Sequence, residues 1–370
     1  MRIAMGSHSL LWRGPRFLPT VPSTNRLESA LTGSLRRTFV MYALWLFALS
    51  VACAQSSGVA PKIKLNDGRE VPALGIGTWL GFTRDGGRVE VKGDDVQKAV
   101  EWAIDAGYRH IDTAHIYNTE DQVGRAVNKK ISEGVIKRED VFITTKLWND
   151  RHAKDSVVPA LRESLKQLNL DYVDLYLIHW PIAELSNHSL ANIDYVETWQ
   201  GMIEARDLGL AKSIGVSNFN KAQLDRLSSL SRVKPSMLQV EINLNLQQPE
   251  LLAYCKQKNI AVTGYTPFGS LLDSKARDDA PPPRVTEPAL VAIAQKYNKT
   301  VPQVALRYEI ELGVIPIPKS TNKHRIEQNI DVFDFSLSQQ ERDLLRSYDR
   351  RYRVIAVKHW EASPYYPFEV

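Results

Sequence analysis

Cysteine is nearly missing from this chain. Cys53 and Cys255 are the two in 370 residues, and one would remain if the leader described below is removed, so an internal disulfide is excluded. The Gly-x-Gly-x-x-Gly fingerprint is missing too. Gly75-Ile-Gly77 has Leu80 where the third glycine belongs, which argues against a doubly wound dinucleotide sheet. No repeat of 20–50 residues is visible, which disfavours a solenoid or propeller. No His-x-His pair or carboxylate cluster follows a strand as metal ligands would, so a metal-dependent hydrolase lacks support and no metal is expected. An excess of one charge is lacking as well. The formal net charge of +5 comes from the first 54 residues, with six Arg and one Glu, and the rest balances 41 basic against 41 acidic residues. A nucleic-acid footprint needs a basic domain, and none exists here.

The apolar run Phe39–Ala54 has 16 residues, short of the ~20 that a membrane span needs. Arg36-Arg37 precedes it, and it ends Ala52-Cys53-Ala54 before Gln55. That is the layout of a secretory signal peptide with a small-x-small cleavage site. The expectation is therefore a leader over 1–54, unstructured over 1–40 with Met41 an alternative start, and a body over 55–370. The body would be secreted and free of the membrane after cleavage, or cytoplasmic if the leader is not used. Asn187-His-Ser189 and Asn298-Lys-Thr300 are glycosylation acceptors on the secretory route.

Within the body, Lys62–Pro72 reads as a β-hairpin, with Asn66-Asp-Gly68 as its turn. Strand and helix signals then alternate. Strands are predicted at 74–77, 110–112, 141–146, 173–178, 213–216, 237–240, 261–265 and 314–316. Amphipathic helices are predicted at 94–106, 119–132, 154–168, 195–208, 221–229, 249–258, 288–297 with 302–312, and 323–329, and a further helix after Ser338 leads into an aromatic end, Trp360 to Phe368. Eight strands each followed by helix imply a (β/α)8 TIM barrel with an N-terminal hairpin and a C-terminal aromatic tail. A doubly wound sheet is the alternative.

Unusual residues end three successive strands. Asp112 closes an apolar run and Tyr117 follows it. Lys146 lies in Val141-Phe-Ile-Thr-Thr-Lys-Leu-Trp148, and His179 in Val173-Asp-Leu-Tyr-Leu-Ile-His-Trp-Pro181. In a barrel, strand C-terminal ends carry the chemistry, so Asp112, Tyr117, Lys146 and His179 are expected in one site. Taken singly, each is equally an ordinary residue: a core phenol, a strand-end lysine, a cap, a structural histidine.

These motifs, with Gly-Val-Ser-Asn-Phe219 and Ile317-Pro-Lys-Ser320, resemble those of the aldo-keto reductases over about Ile63 to Val370. Among them, the chain looks most like insect members that reduce ecdysteroid 3-ketones. The resemblance implies NADPH-dependent reduction of a small-molecule carbonyl by a monomer. It makes Tyr117 the proton donor, with its pKa lowered by Lys146, Asp112 the partner of Lys146, and His179 the group that orients the carbonyl. It implies that Ser217, Asn218 and Gln239 hold the nicotinamide carboxamide, that Tyr265 stacks on its face, and that Gly264–Ser270, including Phe268 and Ser270, covers the pyrophosphate. Gly77, Thr78, Trp79 and Asp112 would border the cofactor. Lys319, Ser320, Thr321 and Arg325 would take the adenosine 2′-phosphate at a helix N-terminus, beside Gln328 and Asn329. Trp79, Tyr117, Trp148, His179, Trp180 and Trp360 would face the substrate.

Departures from the family pattern are few. Gln328 stands where many relatives have Glu, Thr119 replaces an Asn, and Glu241-Ile-Asn243 replaces a Glu-x-His pattern. The loop from Ile182 to Ile193 is shorter than in mammalian members, which would admit a bulky substrate such as a steroid. A rival reading is a catalytically idle NADPH-binding barrel with a regulatory or structural role.

Overall fold

The inward and outward faces of the strands explain the architecture. The computed structural model describes residues 59–81, 87–272 and 277–368. The leader, its signal peptide and the cleavage site lie outside the described residues. The body begins with an antiparallel hairpin, β1 (Lys62–Lys64) and β2 (Glu70–Pro72). Eight parallel strands follow: β3 (Ile76–Gly77), β4 (His110–Asp112), β5 (Phe142–Leu147), β6 (Val173–Ile178), β7 (Ala211–Ser217), β8 (Met237–Glu241), β9 (Ala261–Tyr265) and β10 (Val314–Pro316). They pair in chain order from β3 to β10. Gly75 N–H donates to Pro316 O at 3.0 Å and Gly77 N–H to Pro318 O at 3.1 Å, joining the last strand to the first. Gly77 suits that closure, because a Cβ there would sit tightly against Ile317 O at 3.0 Å.

The helices are α1 (Asp95–Asp105), α2 (Glu120–Ser132), α3 (Lys154–Leu168), α4 (Tyr195–Asp207), α5 (Lys221–Leu230), α6 (Pro249–Gln257), α7 (Pro288–Lys296), α8 (Val301–Glu311), α9 (Lys323–Ile330) and α10 (Gln339–Arg346). Strand side chains alternate between faces. On β6, Tyr176 and Ile178 pack outward with helix residues such as Leu161 and Trp199. Leu175 and Leu177 face inward with Phe142, Met237, Ile315 and the hairpin's Leu65 and Val71. The hairpin plugs the N-terminal end. Asp67 Oδ2 accepts from Ser213 Oγ at 2.6 Å and Ser236 Oγ at 3.1 Å, and Asn66 Nδ2 donates to Pro235 O at 2.8 Å.

Continuing each inward row toward the strand C-termini gives, in order, Asp112, Lys146, His179, Ser217, Gln239 and Tyr265. The inward layer below is therefore built round the apolar cluster of Phe142, Leu175, Leu177, Met237 and Ile315, and the top is polar.

Two buried histidines give this fold an acid sensitivity. His110 and His152 are held neutral, with pKa values pushed down to about 3, by burial in both cases and for His110 also by the Lys146 charge. Between about 3 and 6.5 the unfolded chain binds protons at these positions and the native chain does not, so stability is full above 6.5 and falls as the pH drops. Each should remove about 1.4 kcal/mol per pH unit in that window. The urea midpoint is expected to fall between pH 6.5 and 5. His152→Gln should flatten the slope by one histidine's share, and an unchanged slope would contradict this assignment.

Candidate active site

Lys146 and Asp112 meet because β4 and β5 pair with Asp112 opposite Thr144, which brings the next inward residue of β5 above Asp112. Both side chains are buried, and Lys146 Nζ donates to Asp112 Oδ1 at 2.6 Å, to Thr113 O at 2.9 Å and to Tyr117 Oη at 3.3 Å. Three donors meet three acceptors, the geometry of a satisfied ammonium. Burial lowers the Lys146 pKa against the pull of Asp112. Asp112 Oδ2 in turn accepts from Gln239 Nε2 at 2.7 Å.

Tyr117 closes the short 3₁₀ turn His115–Tyr117 after β4. The expectation that Lys146 lowers its pKa is corrected here. Burial, reinforced by the charge of Asp112, pushes the phenol well above 10. The carboxylate beside Lys146 offsets the ammonium, so desolvation decides.

His179 stands one residue past β6, its N–H donating to Leu147 O at 3.1 Å. Its ring lies 5.6 Å from that of Tyr117. Burial, with the charges of Lys146 and Arg88, drives its pKa well below 6.5, so the imidazole is neutral and can donate one hydrogen bond.

The residues expected around the nicotinamide join this network. Asn218 Nδ2 donates to His179 O at 2.9 Å and Ser217 Oγ at 3.2 Å, and Asn218 Oδ1 accepts from Tyr265 Oη at 2.7 Å. Ser217 Oγ donates to Gln239 O at 2.8 Å. Asn218 holds φ of 63°, a left-handed conformation that Asn adopts readily. Thr78 Oγ1 donates to Asp112 O at 3.1 Å and sits 3.2 Å from Thr119 Oγ1, which is also 3.2 Å from Thr113 Oγ1. The departure at Thr119 therefore has a local role: a buried hydroxyl tying the β3 and β4 ends together.

At the barrel's closing edge, Asn322 caps α9, its Oδ1 accepting from Arg325 N at 3.0 Å. Ser320 is buried, Thr321 and Arg325 are exposed, and Asn329 turns into the core with Gln328 half-buried beside it. Ser270 is buried and Phe268 packs partly on the core.

Of the tryptophans, Trp79 and Trp148 are half-buried at the mouth, with rings 5.0 Å from Tyr117 and 5.1 Å from His179. Trp180 and Trp360, each 5 % exposed, pack on one another at 5.2 Å in a cluster with Ile182 and Phe368. Trp360 Nε1 donates to Glu184 at 3.0 Å. These two back the wall that Trp148 faces.

Some residues have roles that the sequence does not show. Glu241 is buried and accepts from Val354 N and Ile355 N, both at 2.8 Å, with Asn243 Nδ2 at 3.1 Å. Glu241 thus anchors the C-terminal tail across the top of the barrel, and Asn243, where the family pattern has His, steadies that carboxylate. Asn220 and Gln223 of the α5 cap then hold Pro367 O and Tyr365 O. Thr113, through its carbonyl, and Arg88 are further additions.

The Aldo/keto reductase family model matches residues 73–350. Aldo-keto reductase AKR2E4 of Bombyx mori is 52% identical over 83% of this chain and 98% of its own length. Its crystal structure in complex with NADP superposes with a TM-score of 0.80, covering 84% of this chain and 99% of that one. The silkworm AKR2E5 structure with NADPH gives a TM-score of 0.82 at 43% identity, covering 85% and 95%. The 3-alpha-hydroxysteroid dehydrogenase of Rattus norvegicus is 39% identical over 84% of this chain and 98% of its own. A (β/α)8 barrel with Asp112, Lys146, Tyr117 and His179 gathered at its C-terminal face, matched along most of its length, makes this chain a member of the aldo-keto reductase family of oxidoreductases.

Proposed function

We propose that this chain reduces the carbonyl of aldehydes and ketones with NADPH, with Tyr117 supplying the proton, and that its natural substrate is a bulky ketone, an ecdysteroid 3-ketone being the candidate. One observation carries the catalytic part: a single buried ammonium, Lys146, touching both Asp112 and the Tyr117 hydroxyl.

The residues present fit the cofactor. Gln239 spends its amide N–H on Asp112, which leaves its amide oxygen to accept from a carboxamide. The Tyr265 ring is fixed by its hydroxyl bond to Asn218, as a stacking platform requires. Arg325, exposed on the first turn of α9, offers a planar fork to a 2′-phosphate, and the helix N-terminus favours an anion. When bound, the nicotinamide supplies the hydride that reduces the carbonyl carbon.

The chain's residues do the rest. Neutral His179 donates a hydrogen bond that orients the carbonyl and polarises it. The Tyr117 hydroxyl gives its proton to the oxygen as the C–H bond forms, leaving an alcohol. Lys146 lies beside the oxygen that becomes phenolate and stabilises its charge, while Asp112 keeps Lys146 in place. The raised pKa of Tyr117 keeps the proton on the donor throughout the neutral range. Trp79 and Trp148 give the mouth flat apolar walls. The steroid reading is supported by the short Ile182–Ile193 loop and by the rat relative, which is named for a hydroxysteroid.

The test is NADPH oxidation against aromatic aldehydes, aliphatic aldehydes and 3-oxo-steroids including 3-dehydroecdysone, using protein secreted from insect cells. Turnover of 3-dehydroecdysone is expected to be strongest, from a chain whose first residue is Gln55. Turnover of simple aldehydes alone would remove the steroid reading. Tight NADPH binding without any turnover would favour an idle binding module, and a longer N-terminus would remove the cleaved leader.

A further inference from the structure

The wall of the site closes into a circuit through a residue outside the tetrad. Trp79 lies against Tyr117, Tyr117 against His179, and His179 against Trp148. Arg88 completes the ring: its Cζ is 5.8 Å from the Trp79 centroid and 6.0 Å from the Trp148 centroid. Tyr117 and His179, the two groups that would meet a carbonyl oxygen, form one pole. The Arg88 guanidinium forms the opposite pole, one tryptophan away on either side.

Arg88 is exposed, yet it is positioned. One of its N–H groups donates to Ile116 O at 3.1 Å, and the two indoles flank it. A guanidinium has five N–H donors in a fixed fork, so most remain available. No carboxylate among the described residues pairs with it. Its charge is felt at His179, so it belongs to the electrostatics of the site.

We propose that Arg88 is a specificity residue that binds an anionic group at the far end of the substrate. The site would then favour carbonyl compounds that also carry a carboxylate, separated from the carbonyl by about one aromatic ring. This rests on the reductase reading above, with Tyr117 as proton donor, and sets a second substrate class against the ecdysteroid, which carries no carboxylate for Arg88 to meet. The carbonyl enters between Tyr117 and His179, the connecting ring lies between the faces of Trp79 and Trp148, and the carboxylate meets the fork, a charge-assisted pairing for which Arg is better shaped than Lys.

The experiment compares 4-carboxybenzaldehyde with its neutral methyl ester, methyl 4-formylbenzoate, on the wild-type chain, Arg88→Met and Arg88→Lys. The readout is the ratio of kcat/KM for the acid to that for the ester. Each ratio comes from one preparation, so misfolded protein cancels, and intrinsic aldehyde reactivity cancels between variants. Arg88→Met is expected to lower the ratio about tenfold at low salt, the scale of a hydrogen bond to a charged group. Arg88→Lys should keep part of the preference, and added salt should shrink it in the wild type. An equal ratio in wild type and Arg88→Met overturns the proposal while leaving the reductase reading intact. If neither aldehyde is reduced, the reductase reading is decided by the wider carbonyl panel above, and binding still decides on Arg88. Tryptophan fluorescence then compares 4-(hydroxymethyl)benzoate with its methyl ester, and loss of acid selectivity in Arg88→Met supports the assignment, whereas equal Kd ratios in the two proteins overturn it.

Discussion

Replacing Tyr117 with Phe is expected to lower kcat about a thousandfold, within the range that a positioned general acid contributes, while leaving NADPH affinity within a few-fold. The ring contacts with Trp79 and His179 survive in the phenylalanine, so the mouth keeps its shape. What goes is the one hydroxyl that Lys146 touches at 3.3 Å. The proton balance makes the loss specific. Reduction puts a hydride on carbon and needs a proton on oxygen, and neutral His179 cannot replace the donor cheaply, since its pKa already lies well below 6.5 and its deprotonation would leave a buried imidazolate. The raised pKa of Tyr117 adds a pH statement: the donor stays protonated across the neutral range, so a loss of kcat for reduction within that range would have another origin. Steady-state kinetics with a good aldehyde and NADPH titration by fluorescence check both parts. A loss below tenfold would move proton delivery to water or to His179.

Much of this was legible in the chain because apolar runs bounded by polar residues are strong signals. β4, β6, β9 and β10 run over the residues the sequence indicates, and the other predicted strands differ by one or two residues at their ends, where pairing rather than composition sets the limit. The inward row from Asp112 to Tyr265 follows from period-two alternation once the strands are placed. What stayed hidden depends on contacts remote in sequence. The tail's route is set by Glu241 accepting amides of Val354 and Ile355, and nothing local to Glu241 announces that. Trp180 reads like Trp148 in sequence, but its neighbours Trp360 and Phe368 come from the far end of the chain. Arg88 lies among glycines and charges and looks like solvated loop until Trp79 and Trp148 flank it. The direction of the Tyr117 shift is hidden for the same reason: the sequence shows the favourable neighbour Lys146, whereas the burial and the Asp112 charge that outweigh it appear only in the fold.

The Asp112–Lys146 pair should show the largest stability effect, and a non-additive one. Both side chains are at or below 2% exposure, so neither charge has water to fall back on. Asp112→Asn leaves the Lys146 ammonium buried with its anionic partner gone, and removing one member of such a pair costs about 3–5 kcal/mol. The amide can still accept from Lys146, which places the expected loss at the lower end. Lys146→Met strands the Asp112 carboxylate with Gln239 as its side-chain donor and should be similarly unstable. The double variant Asp112→Asn, Lys146→Met removes both charges and replaces the lysine stem with an apolar chain of comparable length. It should therefore recover much of the loss and be more stable than either single change, with activity abolished in all three. Urea denaturation at pH 7 measures this as a double-mutant cycle. A coupling near zero, with losses that simply add, would mean that the pair is not desolvated and that its short contact carries little energy. Recovered stability without recovered activity would separate the two roles of Lys146: a buried charge that the fold tolerates only when paired, and the ammonium that the Tyr117 oxygen requires.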